Sequence, residues 1–130
     1  MTEIHVPISP GELIDKITIL EIKSERMSDA KKVANVRHEL GLLKGTWQAS
    51  DYSRTDISAE WARLKQINEQ LWVIEDDIRD KERARQFDAR FIELARAVYV
   101  TNDERAAVKR LINDRLGSKI VEEKSYADYK

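Results

Sequence analysis

Apolar residues recur along this chain in steps of three and four, the period of a helix that buries one stripe. Leu13, Ile17, Leu20 and Met27 share one face of a first segment, and Ile14, Ile19 and Ile22 widen it. A face that wide predicts a helix with more than one neighbour. Ala30, Val33, Val36, Leu40, Leu43 and Trp47 form a second stripe without a break. Leu64, Ile67, Leu71, Ile74 and Ile78 form a third. Both have the a/d spacing of helices that pack as antiparallel hairpins. Phe91, Leu94, Ala95, Val98, Val108, Leu111 and Ile112 mark a fourth.

The residues between the stripes set the boundaries. Ser9-Pro10-Gly11-Glu12 combines an N-cap serine, a proline at the first helical position and a glutamate three residues after the cap, with Ile8 and Leu13 as flanking staple. Together they specify a helix start, and they need no phosphate to explain them. The first helix then runs to about Met27, and Ser28 is expected to cap the second. Gly45 weakens the end of the second helix, and the polar stretch "QASDYSRTD" predicts a loop. The third helix is expected to start near Asp56 or Ser58 and to reach about Arg85. Asp88 caps the fourth, which ends at Gly117. "TNDE" at 101–104 is itself a capping box, so the fourth helix either breaks there, bends or runs through.

Ile4, Val6 and Ile8 alternate with His5 and Pro7 as a short extended segment. Ile120 and Val121 suggest another near the opposite terminus, placed to pair with the first as a small ribbon. The expected fold is mainly α: an antiparallel four-helix hairpin or bundle, one domain over residues 1–130, with extended segments at both termini.

Composition narrows the chemistry. The 23 basic and 24 acidic side chains give a net charge of −1. That balance, without a basic patch interleaved with aromatics, argues against a nucleic-acid partner. The absence of cysteine excludes disulfides, thiol catalysis and thiolate metal sites. No apolar run approaches a membrane span, and "MTEIHVPIS" lacks the regions of a secretory signal, so a cytoplasmic protein without a membrane partner is expected. His5 and His38 are isolated, and no glycine-rich phosphate loop is present, so no metal or cofactor is expected.

Three polar constellations stand out. Lys16, Lys23 and Arg26 lie on one helical face bordering apolar residues, as a clamp for a phosphate or carboxylate requires. The plainer reading is a solvated row whose stems cover the core. Trp72, Glu75, Arg79 and Glu82 form a stripe beside the third apolar seam, with Glu75 and Arg79 at ion-pair spacing. Tyr99, Asn102, Lys109 and Asn113, with Asp103 and Arg105 adjacent, interrupt the fourth apolar face. Polar residues at core positions either satisfy one another or serve a site. The run "EDDIRDKE" reads as a solvated face: only Asp77–Asp80 has the spacing that all-α nucleoside triphosphate pyrophosphatases use for Mg²⁺, and the first glutamate pair is missing.

The segments "ISPGELIDKITILEIKSER", "LWVIEDDIRDKE", "FDARFIELARAVYVTNDERAAVKRLIN" and "VEEKSY" resemble an uncharacterised bacterial domain-of-unknown-function family of small, soluble, mostly helical proteins. The resemblance covers the chain apart from residues 44–60. It implies no reaction. It does imply a context, since members are often encoded near glycosyltransferase and surface-polysaccharide genes. It also implies that Lys16, Lys23, Arg26, Trp72, Glu75, Arg79, Asp88, Arg96, Tyr99, Asn102, Asp103, Arg105 and Lys109 are family-typical, which favours a shared polar site over a solvated face. "LIDKITILEIKSER" alone is similar to the first helix of all-α chorismate mutases, an analogy confined to that helix.

Two functions follow. One is an interaction or accessory protein, self-associating or docking a protein partner in carbohydrate or envelope metabolism, with Trp47 and Trp61 as exposed contact candidates. The other is a small-anion site inside the bundle. There Lys16, Lys23, Arg26, Arg79, Asn102, Arg105 and Lys109 hold the ligand, and Glu75 is the acid/base group.

Overall fold

The structure, a computed structural model, describes residues 2–130. Four α-helices make up most of it: α1 (Pro10–Arg26), α2 (Ala30–Ala49), α3 (Ser58–Arg83) and α4 (Ala89–Leu116), with one 3₁₀ turn at Asp51–Arg54. Among the described residues there is no strand.

The helix ends follow local chemistry. Ser9 accepts the Glu12 amide at the start of α1, with Pro10 in the first turn. The reciprocal half of the expected capping box is not made: the Glu12 carboxylate turns instead to Lys109 and Lys16. Asp29, not Ser28, caps α2 by accepting the Lys32 amide. The "TNDE" box does not interrupt α4, because Thr101 is buried and the apolar stripe continues on both sides of it. Both long helices close in six-residue Schellman turns. In α4 the left-handed position is Gly117, and the Ser118 amide reaches the Asn113 carbonyl at 2.9 Å. In α3 the same position is Arg85, with φ of 57°, and the Gln86 amide reaches Lys81 at 2.9 Å.

α1 is the centre of the fold. It packs against α2, α3 and α4, as its wide apolar face predicts. Ile14, Ile17 and Ile22 are sealed from solvent, and Leu13, Ile14 and Ile17 join Leu64, Ile67, Val108 and Ile112 in the core. Each fully buried aliphatic side chain contributes about 1.5–3 kcal/mol. α2 is more peripheral. Only Val33 and Trp47 of its seam are buried, because its main neighbour is α1. Trp47 and Trp61 are not the exposed contacts that the sequence suggested. Trp47 is 8% exposed and meets the half-buried Trp61 edge-on, with ring centroids 5.9 Å apart.

Residues 118–130 have no regular structure. The termini meet, but through the Ser9 hydroxyl and Glu122 and not as a ribbon.

Gly11 sets how closely α1 approaches α4. A Cβ there would stand 2.5 Å from the Lys109 carbonyl oxygen and 2.8 Å from Asn113 Oδ1. Gly11→Ala is therefore expected to destabilise the protein by about 1–3 kcal/mol, since backbone must move. Arg85→Gly should do the opposite and stabilise by roughly 0.5–1 kcal/mol, because glycine accepts positive φ without the Cβ penalty. Urea denaturation of both variants checks the pair of signs.

Candidate functional site

The polar face that interrupts α4 is the face that meets α1. Asp15, 1% exposed, sits at its centre. Its position follows from α1 itself. Gly11, Asp15, Thr18 and Ile22 step by four, three and four, so two polar groups lie in a core stripe. Arg105 grips Asp15 with two nitrogens, Nε at 2.9 Å from Oδ1 and Nη2 on Oδ2. Asn68 Nδ2 donates to the same Oδ1 at 2.9 Å and to Thr18 Oγ1 at 3.1 Å. Thr18 donates to the Asp15 carbonyl at 2.9 Å. Three helices thus converge on one carboxylate.

One turn nearer the start of α1, Lys109 Nζ lies 2.5 Å from Glu12 Oε2, 3.1 Å from Glu122 Oε2 and 3.8 Å from Asp15 Oδ2. The Gly11 amide donates to Asn113 Oδ1 at 2.7 Å. Ser9 Oγ donates to Glu122 Oε1 at 2.5 Å. The hydrogen bond to Asp15 raises the pKa of Arg105, and burial opposes it. For Lys109 burial is the largest influence and disfavours the charge. Glu12, Asp15 and Glu122 together outweigh it and raise the pKa. The network is a set of matched ions, not a row of free cations.

The sequence-predicted site residues fall in three places. Lys16, Asn102, Arg105 and Lys109 gather at this network: Lys16 lies 3.6 Å from Glu12, and Asn102 Oδ1 accepts from Arg105 at 3.4 Å. Lys23 and Arg26 lie at the other end of α1, about 15 Å along the helix from Lys16 to Arg26. Arg26 pairs with Glu69 at 3.6 Å. Glu75 and Arg79 pair with each other on α3, about 10 Å of helix beyond Asn68. Sequence reasoning missed Asp15, Thr18, Asn68 and Glu122. The signal for the first three was available, since each sits within a step of the apolar seams. Glu122 gave no signal, because it lies on no periodic element.

Two further features bear on function. A cavity of about 520 Å³ beside Trp47 and Trp61 is also lined by Glu21, Ile57 and Lys65. Its two acids are already engaged: Glu21 accepts from Trp61 Nε1 at 3.2 Å and pairs with Lys44 at 3.4 Å, and Asp56 accepts the Ser58 amide at 2.9 Å. The second feature is the outer half of the α3–α4 hairpin. All hydrogen bonds and ion pairs between α1 and the hairpin fall within residues 61–69 of α3 and 105–113 of α4. Among the described residues, the side-chain hydrogen bonds and ion pairs of residues 71–98 stay within that hairpin. This outer half is an arm. The apolar seam that is sealed at Leu64, Ile67, Val108 and Ile112 is only half-buried at Leu71, Ile74, Ile78, Phe91 and Val98, and of the arm's seam only Leu94, 3% exposed, is closed.

The model of a family of unknown function (DUF6165) matches residues 4–129. No curated protein and no solved structure matches the chain. Among the described residues, no helix is long and apolar enough to cross a membrane, and no three acidic or histidine side chains are grouped to hold a metal ion.

Removing Asp15 leaves the half-buried Arg105 without its counter-ion and Asn68 without its acceptor. Asp15→Ala is expected to cost about 2–3 kcal/mol in urea denaturation, less than for a fully buried pair because water can reach the freed guanidinium. Lys109 gives a pH prediction. Its folded pKa is raised above the ordinary 10.5, so its contribution is complete below pH 10.5 and is lost as pH rises through the higher folded value. Stability of the unmodified protein should fall above that pH, and Lys109→Met should lack this part of the slope.

Proposed function

The chain belongs to the family of unknown function DUF6165, and we propose that it is an interaction protein that pairs with a second copy through the α3–α4 arm. The carrying observation is the contrast along one hairpin. One apolar pattern is sealed at Leu64, Ile67, Val108 and Ile112, where α1 covers it, and, apart from Leu94, left half-open along the arm, where nothing does. Phe87, 53% exposed, and Ile92, 57% exposed, extend the apolar surface at the far end.

A second arm is the natural cover. Two hairpins laid face to face make a four-helix arrangement, and a two-fold axis sets α3 of one copy against α4 of the other. The charges suit that pairing. Residues 75–83 carry five acids (Glu75, Asp76, Asp77, Asp80, Glu82) against three bases. Residues 85–96 carry Arg85, Arg90 and Arg96 against Asp88 and Glu93. The arm is about 20 Å long, 13 residues of α3, and two helices wide, about 20 Å. Two such faces bury about 800 Å² in all, below the range of stable interfaces, so the pairing is weak, transient and concentration-dependent. The matched ions at Asp15 take no part in it; they support the reading only by leaving no unpaired cation row at that end of the fold.

Sedimentation velocity over a wide concentration range tests this. A monomer–dimer transition is expected, shifted to higher concentration by Ile78→Lys and by Ile92→Glu. Ile92 is exposed, so its substitution should leave the monomer's helicity and melting temperature nearly unchanged. A monomer at every concentration, or a dimer indifferent to both substitutions, would overturn the reading.

A further inference from the structure

The segment after α4 is held by few contacts, and the chief one is made to measure for a carboxylate. Glu122 uses both oxygens: Oε1 accepts from Ser9 Oγ at 2.5 Å, and Oε2 lies 3.1 Å from Lys109 Nζ. The receiving groups are buried. Ser9 is 1% exposed and the Lys109 side chain 13%. Ser9 has no freedom in this. Its oxygen already accepts the Glu12 amide, so its proton must find an acceptor on the outer side. Lys109 likewise has a third N–H to place after Glu12 and Asp15.

Charge points the same way. Around this spot Glu12, Asp15 and Glu122 face Lys16, Arg105 and Lys109, three acids against three bases. Lift Glu122 away and two acids face three bases, and the Ser9 hydroxyl is left to water. Such a seat, with a net positive charge and two convergent donors, favours an anion over water. The segment that supplies the anion is poorly anchored elsewhere. Residues 119–130 are exposed and have no regular structure. Their other tethers are Lys124 on Asp103, at the surface of α4, and Tyr129 edge-on to Tyr99 with centroids 4.9 Å apart. Asp15, by contrast, is held by three helices and cannot be displaced without unfolding them.

We propose that Ser9 and Lys109 form a carboxylate-binding seat, that residues 118–130 occupy it as an internal ligand, and that an extended acidic peptide segment displaces them. The pattern of that segment is read from the occupant: a carboxylate for the seat, and a cation two residues on for Asp103. The site uses none of the arm residues, so its fate is separable from that of the pairing proposed above.

The test uses the full chain and a labelled synthetic peptide of residues 118–130. Fluorescence anisotropy is measured with the unmodified protein, with Lys124→Ala and with Glu122→Gln. The tethered segment competes at an effective concentration in the millimolar range, so the unmodified protein should bind weakly, Glu122→Gln about tenfold or more tighter and Lys124→Ala about two- to fivefold tighter. Lys124→Ala touches only a surface contact, which keeps the test valid if Glu122→Gln perturbs the buried network. A peptide carrying Glu122→Gln should not bind. Competition by acidic peptide but not by sodium succinate or inorganic phosphate supports a protein segment as the displacing ligand; equal competition by the small anions would overturn that part of the proposal. Equal or absent binding in all three proteins would overturn the proposal. Arm variants such as Ile92→Glu should leave these affinities unchanged.

Discussion

One buried carboxylate organises this fold. Asp15 lies where α1 crosses the α3–α4 hairpin, and it takes its partners from all three helices: Thr18 from its own, Asn68 from α3 and Arg105 from α4. Burying this charge is costly, and only a bidentate guanidinium with further donors makes it tolerable. The arrangement tolerates no slippage. Moving α1 by one turn would leave Asp15 buried without its cation and the half-buried Arg105 unmatched. Gly11 enforces the same register sterically, because its missing side chain lets the backbone of α1 lie against the Lys109 carbonyl. We read the pair as a register device more than a source of net stability, since a buried ion pair often does no better than an apolar replacement.

That register divides the hairpin into two halves with different fates. α1 reaches residues 61–69 and 105–113, and there the apolar seam is closed at Leu64, Ile67, Val108 and Ile112. Beyond it the seam is the same in sequence but has only one layer of helix on it. A two-helix arm cannot fully bury its own stripe, because each helix covers the other from one side only. The open half is therefore a consequence of where α1 stops, and α1 stops where Asp15 pins it.

The C-terminal segment fits into the same scheme at the opposite end. Ser9 begins α1, Lys109 lies beside Asp15, and Glu122 completes the balance of charges between them. A segment with no structure of its own thus finishes a buried polar network. It is anchored by chemistry that another carboxylate can reproduce, unlike the bidentate pair beneath it.

Much of this was legible from the amino acids alone, for a physical reason. Helix boundaries depend on groups within a few residues of one another. Ser9 and Pro10 at the start of α1, Asp88 before α4 and Gly117 after it all act as their local chemistry requires. The apolar stripes likewise named the core at Ile14, Ile17, Leu64, Ile67 and Ile112. Local chemistry was not always enough. Ser28 and Asp29 are both competent caps, and the choice of Asp29 turned on backbone geometry. What periodicity could not supply was the identity of each polar partner. The face Tyr99–Asn102–Lys109–Asn113 was visible as an anomaly, but whether it served a ligand or other residues depended on Asp15 and Glu122, 90 and 13 residues from Arg105 and Lys109. Trp47 read as a surface contact because nothing nearby in sequence announces Trp61 edge-on to its ring. Charge pairing and coverage are properties of which segments cross in space, and only the tertiary structure decides that.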